Sequence, residues 1–231
     1  MKKYDYALFD LDGTLTDSAE GITNSVAHAL KKFGINSCDK NELKRFIGPP
    51  LVDAFENFYG FSHPQAVKAV EYYREYFKDK GIFENSVYDG IPELLEALTE
   101  EGIGLIIATS KPEAFAKRIV EHFGINKYFT AVVGATFDNT LSEKKDIISH
   151  VLTTQNLTEK SSVIMIGDRH HDIEGAKANG IDSIGVLYGY GSRDELAEHG
   201  AKLIADLIRA FGNDNRAFCS IKTVNNEIDR L

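Results

Sequence analysis

The sequence predicts an α/β protein: a doubly wound parallel sheet interrupted by an inserted all-α domain. Three observations carry that prediction. Short apolar runs at residues 6–9, 104–108, 131–133, 162–166 and 183–186 have the unbroken hydrophobicity of strands buried on both faces. Helical patterns that stop at glycine follow them. Between residues 16 and 84 the alternation ceases and amphipathic stripes replace it.

Taken in order, the first run leads directly into Asp10-Leu11-Asp12-Gly13-Thr14. Ile22, Val26, Ala29, Leu30 and Phe33 then recur at helical spacing, and Gly34 ends that helix. Leu51, Ala54, Phe55 and Phe58 form a second stripe, and Ala66, Val67, Val70, Tyr73 and Phe77 a third. No strand is expected in this segment. The stripes read as the core of a small helical domain, connected near residues 16–18 and 85–90. Residues 1–15 and 85–210 then form the α/β domain, 16–84 the helical insertion, and 211–231 a tail with sparse apolar residues, weakly ordered or a short helix. Pro92 opens a helix in its first turn and Gly102 stops it. Helices are also expected over residues 111–123 and 172–179, ending at Gly124 and Gly180. Ser192 and Glu195 have the spacing of a capping box, with a stop at Gly200.

A chain of 231 residues holds one or two domains, and its 43% hydrophobic content can bury a core. Lys and Arg number 26 against 35 Asp and Glu, a net charge of −9. That field disfavours nucleic-acid polymers and anionic membrane surfaces. It would also repel a phosphorylated substrate, so a site for one must supply its own cations. No apolar run approaches the length of a membrane span, and the N-terminus lacks the pattern of a signal peptide. Cys38 and Cys219 lie far apart and outside any Cys-x-x-Cys pair. They read as reduced thiols of a cytoplasmic protein, neither a disulfide nor a zinc site. Nothing in the sequence fixes the oligomeric state.

The chemistry gathers at strand ends, where open α/β sheets bind ligands. Asp10 and Asp12 follow the first strand, and Gly13 permits a sharp turn. Two carboxylates so close call for a divalent cation. Gly167-Asp168-Arg169-His170-His171-Asp172 follows a later strand, with two further carboxylates four residues apart that can aim at one ion. Adjacent histidines in a loop should point apart, and no third soft ligand is spaced to join them, so His170 and His171 read as loop residues. Thr109-Ser110-Lys111-Pro112 offers a hydroxyl and backbone N–H groups to an anion. Lys144 and Lys145 precede Asp146-Ile147-Ile148, and one of them reaching into an acidic site is what phosphate binding requires.

This set of four strand-end motifs, in order from Tyr6 to Asp172, resembles the haloacid dehalogenase-like superfamily of phosphohydrolases. The resemblance implies a Mg²⁺-dependent enzyme that hydrolyses a small phosphate ester through an aspartyl-phosphate. It assigns Asp10 as nucleophile and Asp12 as general acid and base, with Asp12 kept protonated by a neighbouring carboxylate and partial desolvation. Gly13 and Thr14 complete that motif. Thr109 and the Ser110 amide would bind the transferring phosphoryl oxygens. Lys144, preferred over Lys145 because Lys-x-Asp-Ile-Ile matches the family pattern better, would neutralise them and hold Asp10. Asp168 would ligate Mg²⁺ together with Asp10 and the backbone carbonyl of Asp12, and Asp172 would support the site.

The insertion resembles the family's helical cap, which closes over the site and contacts the leaving group. Within it, Arg45-Phe46-Ile47-Gly48-Pro49-Pro50 resembles the substrate loop of phosphoglycolate phosphatases and related nucleotidases, and makes Arg45 a candidate substrate contact. The run Leu187-Tyr188-Gly189-Tyr190-Gly191-Ser192-Arg193 also resembles that branch, although a surface loop explains it equally well. Phosphoglycolate phosphatase-like activity is the leading expectation, and 5′-nucleotidase activity the close alternative. A sugar phosphomutase is disfavoured by Thr14, where mutases usually carry Val. A receiver-type signalling module would lack the large insertion, and its phosphorylated Asp need not have a second Asp two residues on.

Overall fold

In a computed structural model the described residues are 4–36, 39–138 and 140–205. They divide into two compact units, with boundaries between Leu15 and Thr16 and between Ser86 and Val87. The tail expected over residues 211–231, and both cysteines, lie outside the described residues.

The first unit is built on a six-stranded parallel sheet: β1 (Tyr6–Phe9), β4 (Gly104–Pro112), β5 (Phe129–Ala135), β6 (Val163–Gly167), β7 (Asp182–Val186) and β8 (Leu203–Ala205). Their spatial order is β5-β4-β1-β6-β7-β8. The chain runs outward from β1 in one direction, then returns to build the other half. The switch in direction therefore falls at β1, where a crevice at the carboxyl edge is expected. Register brings the strand ends level, with Phe9 beside Ile107 on one side and Ile166 on the other. The sheet packs through Leu8, Ile106, Val133 and Met165 against Ile147, Ile148, Val151 and Ala176.

The helices of this unit are α5 (Ile91–Glu100), α6 (Glu113–His122), α7 (Lys144–Thr154), α8 (His170–Asn179) and α9 (Arg193–Glu198). Pro92 lies in the first turn of α5, as the sequence indicates. Two starts differ from expectation. The helix expected from residue 111 begins only at Glu113, because Pro112 disfavours helical backbone at Lys111 and both remain in the extended end of β4. The helix expected from residue 172 begins at His170, with Asp172 Oδ2 accepting from the Arg169 backbone N–H at 3.1 Å. Strand β8 escaped the sequence reading.

The second unit is helical: α1 (Ala19–Lys32), α2 (Lys40–Leu43), α3 (Leu51–Tyr59) and α4 (His63–Tyr76), the last continuing as a wide helical turn over Phe77–Gly81. Its interior is aromatic, with Phe46 packed on Phe55 and Phe55 stacked on Phe61. Gly21 and Gly81 meet so closely that a Cβ on Gly21 would collide with the Gly81 carbonyl. This segment does contain one strand that the sequence reading excluded. β2 (Thr16–Asp17) pairs with β3 (Ser86–Val87) where the chain leaves and returns. Two residues are too few to leave a period-2 signal.

Candidate active site

Asp10 leaves β1 still tied to the sheet, its backbone N–H donating to the Ile166 carbonyl at 2.9 Å. Lys144, the first residue of α7, reaches across to it. Its Nζ donates to Asp10 Oδ1 at 2.8 Å and to the Ala108 carbonyl at 3.0 Å, and lies 2.8 Å from Asp172 Oδ1. One ammonium thus joins the ends of β1 and β4 to the start of α8. Burial works against the charge of Lys144, but Asp10 and Asp172 outweigh it and hold its pKa above the ordinary lysine value. Of the two lysines left open by the sequence, Lys144 is the one that reaches the acidic cluster.

Asp168 follows β6 and is fully buried. Its Oδ2 accepts from the Tyr190 backbone N–H at 2.8 Å and its Oδ1 from the Thr14 hydroxyl at 3.3 Å. Burial, and then repulsion from Asp172 and Asp10, push its pKa well above the usual carboxylate range. Asp172 is shifted upward by burial as well, against the pull of Lys144. Asp10, Asp168 and Asp172 each present an oxygen, all within 4.8 Å of one another. Three buried acids around one point, with a neutral N–H and a neutral hydroxyl as the donors to Asp168, fit a hard divalent cation.

Glycines make this crowding possible. Gly13 has φ +83°, a left-handed conformation, and a Cβ there would strike the Asp168 carboxylate and the Tyr190 ring. Gly189 and Gly191 pack directly on Asp168, and Gly167 on Asp172. The loop from Leu187 to Arg193 is therefore part of the site wall. The sequence suggested that role but could not separate it from a surface loop.

Asp12 lies outside the carboxylate cluster. Lys111 Nζ donates to both of its oxygens, at 2.9 and 2.7 Å, and both side chains are largely buried. The carboxylate neighbour expected for Asp12 is thus replaced by an ammonium. Lys111 is the residue sequence reasoning missed as a participant. The local sequence signals only its position, since Pro112 keeps Lys111 extended at the strand end. Thr109 is buried and its Oγ1 accepts from the Lys111 backbone N–H at 3.2 Å. Ser110 is half-buried. Arg45 belongs to the helical unit, where its guanidinium stacks on Phe58 at 4.5 Å and donates to the Phe58 carbonyl at 3.4 Å.

The two adjacent histidines do not point apart. They stand in the first turn of a helix rather than in a loop, with ring centroids 3.8 Å apart. Burial first, then the neighbouring His170, Arg169 and Lys144, push the His171 pKa down to about 4. His170 Nδ1 lies 2.7 Å from Glu195 Oε1, which also accepts from Arg169 Nε at 2.9 Å. The expected capping box at Ser192 is therefore half-made. The Ser192 hydroxyl accepts from the Glu195 N–H, while the Glu195 side chain turns to α8. Its carboxyl loses solvation on burial, but the bonds from His170 and Arg169 outweigh that and hold it at about 2.

Among the described residues no helix is long and apolar enough to cross a membrane. The family model for haloacid dehalogenase-like hydrolases matches residues 7–186. A 5′-nucleotidase from Pseudomonas aeruginosa is 50% identical over 197 residues, covering 85% of this chain and 89% of that one. The tyrosine-protein kinase PtkA of Mycobacterium tuberculosis is 41% identical over 189 residues, 81% of this chain but only 63% of that longer relative. A phosphoglycolate phosphatase from Aquifex aeolicus is 31% identical over 193 residues, 79% of this chain and 84% of the relative. The crystal structure of a predicted phosphatase from Clostridium acetobutylicum superposes with a TM-score of 0.86 at 45% identity, over the whole of both chains. The match to the family model runs from the first strand of the sheet through the loop that carries Asp168 and on to β7. The chain belongs to the haloacid dehalogenase-like hydrolases and is a phosphatase.

Proposed function

We propose that the chain is a Mg²⁺-dependent phosphomonoesterase that works through an aspartyl-phosphate on Asp10. The observation that carries this reading is the buried Lys144 ammonium shared by Asp10 and Asp172, at 2.8 Å from each, beside the oxygen cluster completed by Asp168. It combines a nucleophile, a cation for phosphate oxygens and a metal-ligand set at one strand edge. Asp10, Asp168 and Asp172 would hold Mg²⁺, with the backbone carbonyl of Asp12 as the further ligand the resemblance assigns. When bound, the ion would neutralise the phosphoryl oxygens and lower their repulsion of the carboxylate.

The chain's own residues supply the rest. Lys144 fixes Asp10 Oδ1, which aims the other carboxylate oxygen at phosphorus. That oxygen forms the P–O bond as the ester P–O bond breaks. Asp12 gives the departing oxygen its proton, then takes one from water. The water oxygen attacks phosphorus, the bond to Asp10 breaks, and inorganic phosphate leaves. Thr109 and the Ser110 amide bind the phosphoryl oxygens. Lys111, which here holds both Asp12 carboxylate oxygens, must release one of them for Asp12 to carry the proton it donates. The helical unit is the cap of this reading, and Arg45 its proposed substrate contact.

For the substrate, the 50%-identical nucleotidase favours a nucleoside 5′-monophosphate over phosphoglycolate. Phosphate release from nucleoside monophosphates, phosphoglycolate, sugar phosphates and pyrophosphate, compared by kcat/KM with and without Mg²⁺, tests this order. Asp10→Asn should lower the rate on the best substrate by at least about a thousandfold. An Asp10→Asn rate equal to wild type would remove the nucleophile assignment.

A further inference from the structure

The first two turns of α8 carry a second set of ligating groups. His170, His171 and Glu174 each offer one ligand atom, and these lie within 4.8 Å of one another. Two imidazoles and a carboxylate are a different donor set from the all-oxygen cluster of Asp10, Asp168 and Asp172. Oxygen donors suit Mg²⁺, whereas imidazole with a carboxylate suits borderline transition ions such as Zn²⁺.

The groups behind these three residues are arranged as outer supports. Glu195 Oε1 meets His170 twice, at Nδ1 (2.7 Å) and at the backbone N–H (3.0 Å). A carboxylate on one ring nitrogen fixes both the tautomer and the orientation of a ligating imidazole. Arg169 Nε donates to the same oxygen at 2.9 Å, so the supporting carboxylate is itself anchored. On the other side His199, which follows α9, places Nδ1 2.8 Å from Glu174 Oε1, and its ring lies 4.8 Å from that of His170. The would-be carboxylate ligand is thus also held by a hydrogen bond. Glu174 is exposed and both α8 histidines are half-buried, which gives an ion a path from solvent.

We propose that His170, His171 and Glu174 form a binding site for a borderline divalent transition metal of the Zn²⁺ type, separate from the site of phosphoryl transfer. Occupancy would tie the helix start that bears Asp172 to the loop end of α9 through the supporting Glu195 and His199.

The test is a Zn²⁺ titration of the full chain in a large excess of Mg²⁺, read by a competing chelator and by histidine side-chain ¹⁵N shifts. Wild type and Asp168→Asn should both take up one Zn²⁺ equivalent at this site, and the shifts should fall on His170 and His171. Glu174→Gln, an exposed position that does not threaten the fold, should weaken binding at least about tenfold. The His170→Asn, His171→Asn double variant should lose that equivalent. Overturning results are Zn²⁺ uptake unchanged in Glu174→Gln, uptake abolished by Asp168→Asn, or no shift at His170 and His171 at one equivalent.

Discussion

At the scale of single residues, Lys144 decides the electrostatics. It is one ammonium between two carboxylates, all three nearly excluded from water. Removing a partner from a buried charge pair costs far more than the pair's net worth, because the remaining charges stay buried. Lys144→Met should therefore destabilise the fold by about 3–5 kcal/mol as well as abolish turnover. Urea denaturation checks it, and a midpoint matching wild type would mean that the carboxylates find another counterion. His171 gives a pH dependence of definite sign. Its pKa falls from 6.5 to about 4 on folding, so the unfolded chain takes the proton first. Wild-type stability is then lost through this residue as pH drops from 6.5 toward 4. His171→Asn lacks that loss. Stability measured at pH 7.5 and 4.5 should fall further in wild type than in the variant, and equal falls would contradict the burial account. The carboxylates proposed as catalytic were legible in the sequence because Asp10-Leu11-Asp12-Gly13-Thr14 follows a buried strand and is joined by three further strand-end motifs in order. The Lys111–Asp12 pair was not, since it joins residues 99 positions apart and no local pattern records such a contact.

At the scale of elements, the loop between β7 and α9 sets the precision of the site. Gly189 and Gly191 stand where a Cβ would strike Gly13 or Asp168, and the Tyr190 N–H holds Asp168 Oδ2. Gly189→Ala should cost about 1–3 kcal/mol of stability through overpacking. It should also lower kcat/KM by about a hundredfold, because the atoms it displaces carry Asp168. Kinetics and urea denaturation of the same sample separate the two effects. A variant destabilised but fully active would show that Asp168 tolerates movement. Short unbroken apolar runs and glycine stops revealed the principal strands and helices in advance. The failures were local. Pro112 delayed a helix start, a helical turn rather than a loop brought His170 and His171 together, and the two-residue pair β2–β3 was too short for any periodicity.

At the scale of the whole molecule, an acidic chain handles an anionic group by concentrating cations at one edge of its sheet. The net charge is −9, yet Lys144 and Lys111 are buried beside Asp10 and Asp12. The topology makes that possible, because β1 is flanked by β4 and β6 and its end meets residues from both halves of the chain. Sequence order alone gave the motifs. Their convergence depends on parallel register, which the motifs do not encode residue by residue. In the proposed mechanism phosphate passes covalently through Asp10. Acid-quenched enzyme from a reaction with a good substrate and Mg²⁺, digested and weighed by mass spectrometry, tests it directly. A transient phosphate is expected on the peptide containing Asp10, absent in Asp10→Asn. Sustained turnover with that peptide never modified would contradict it.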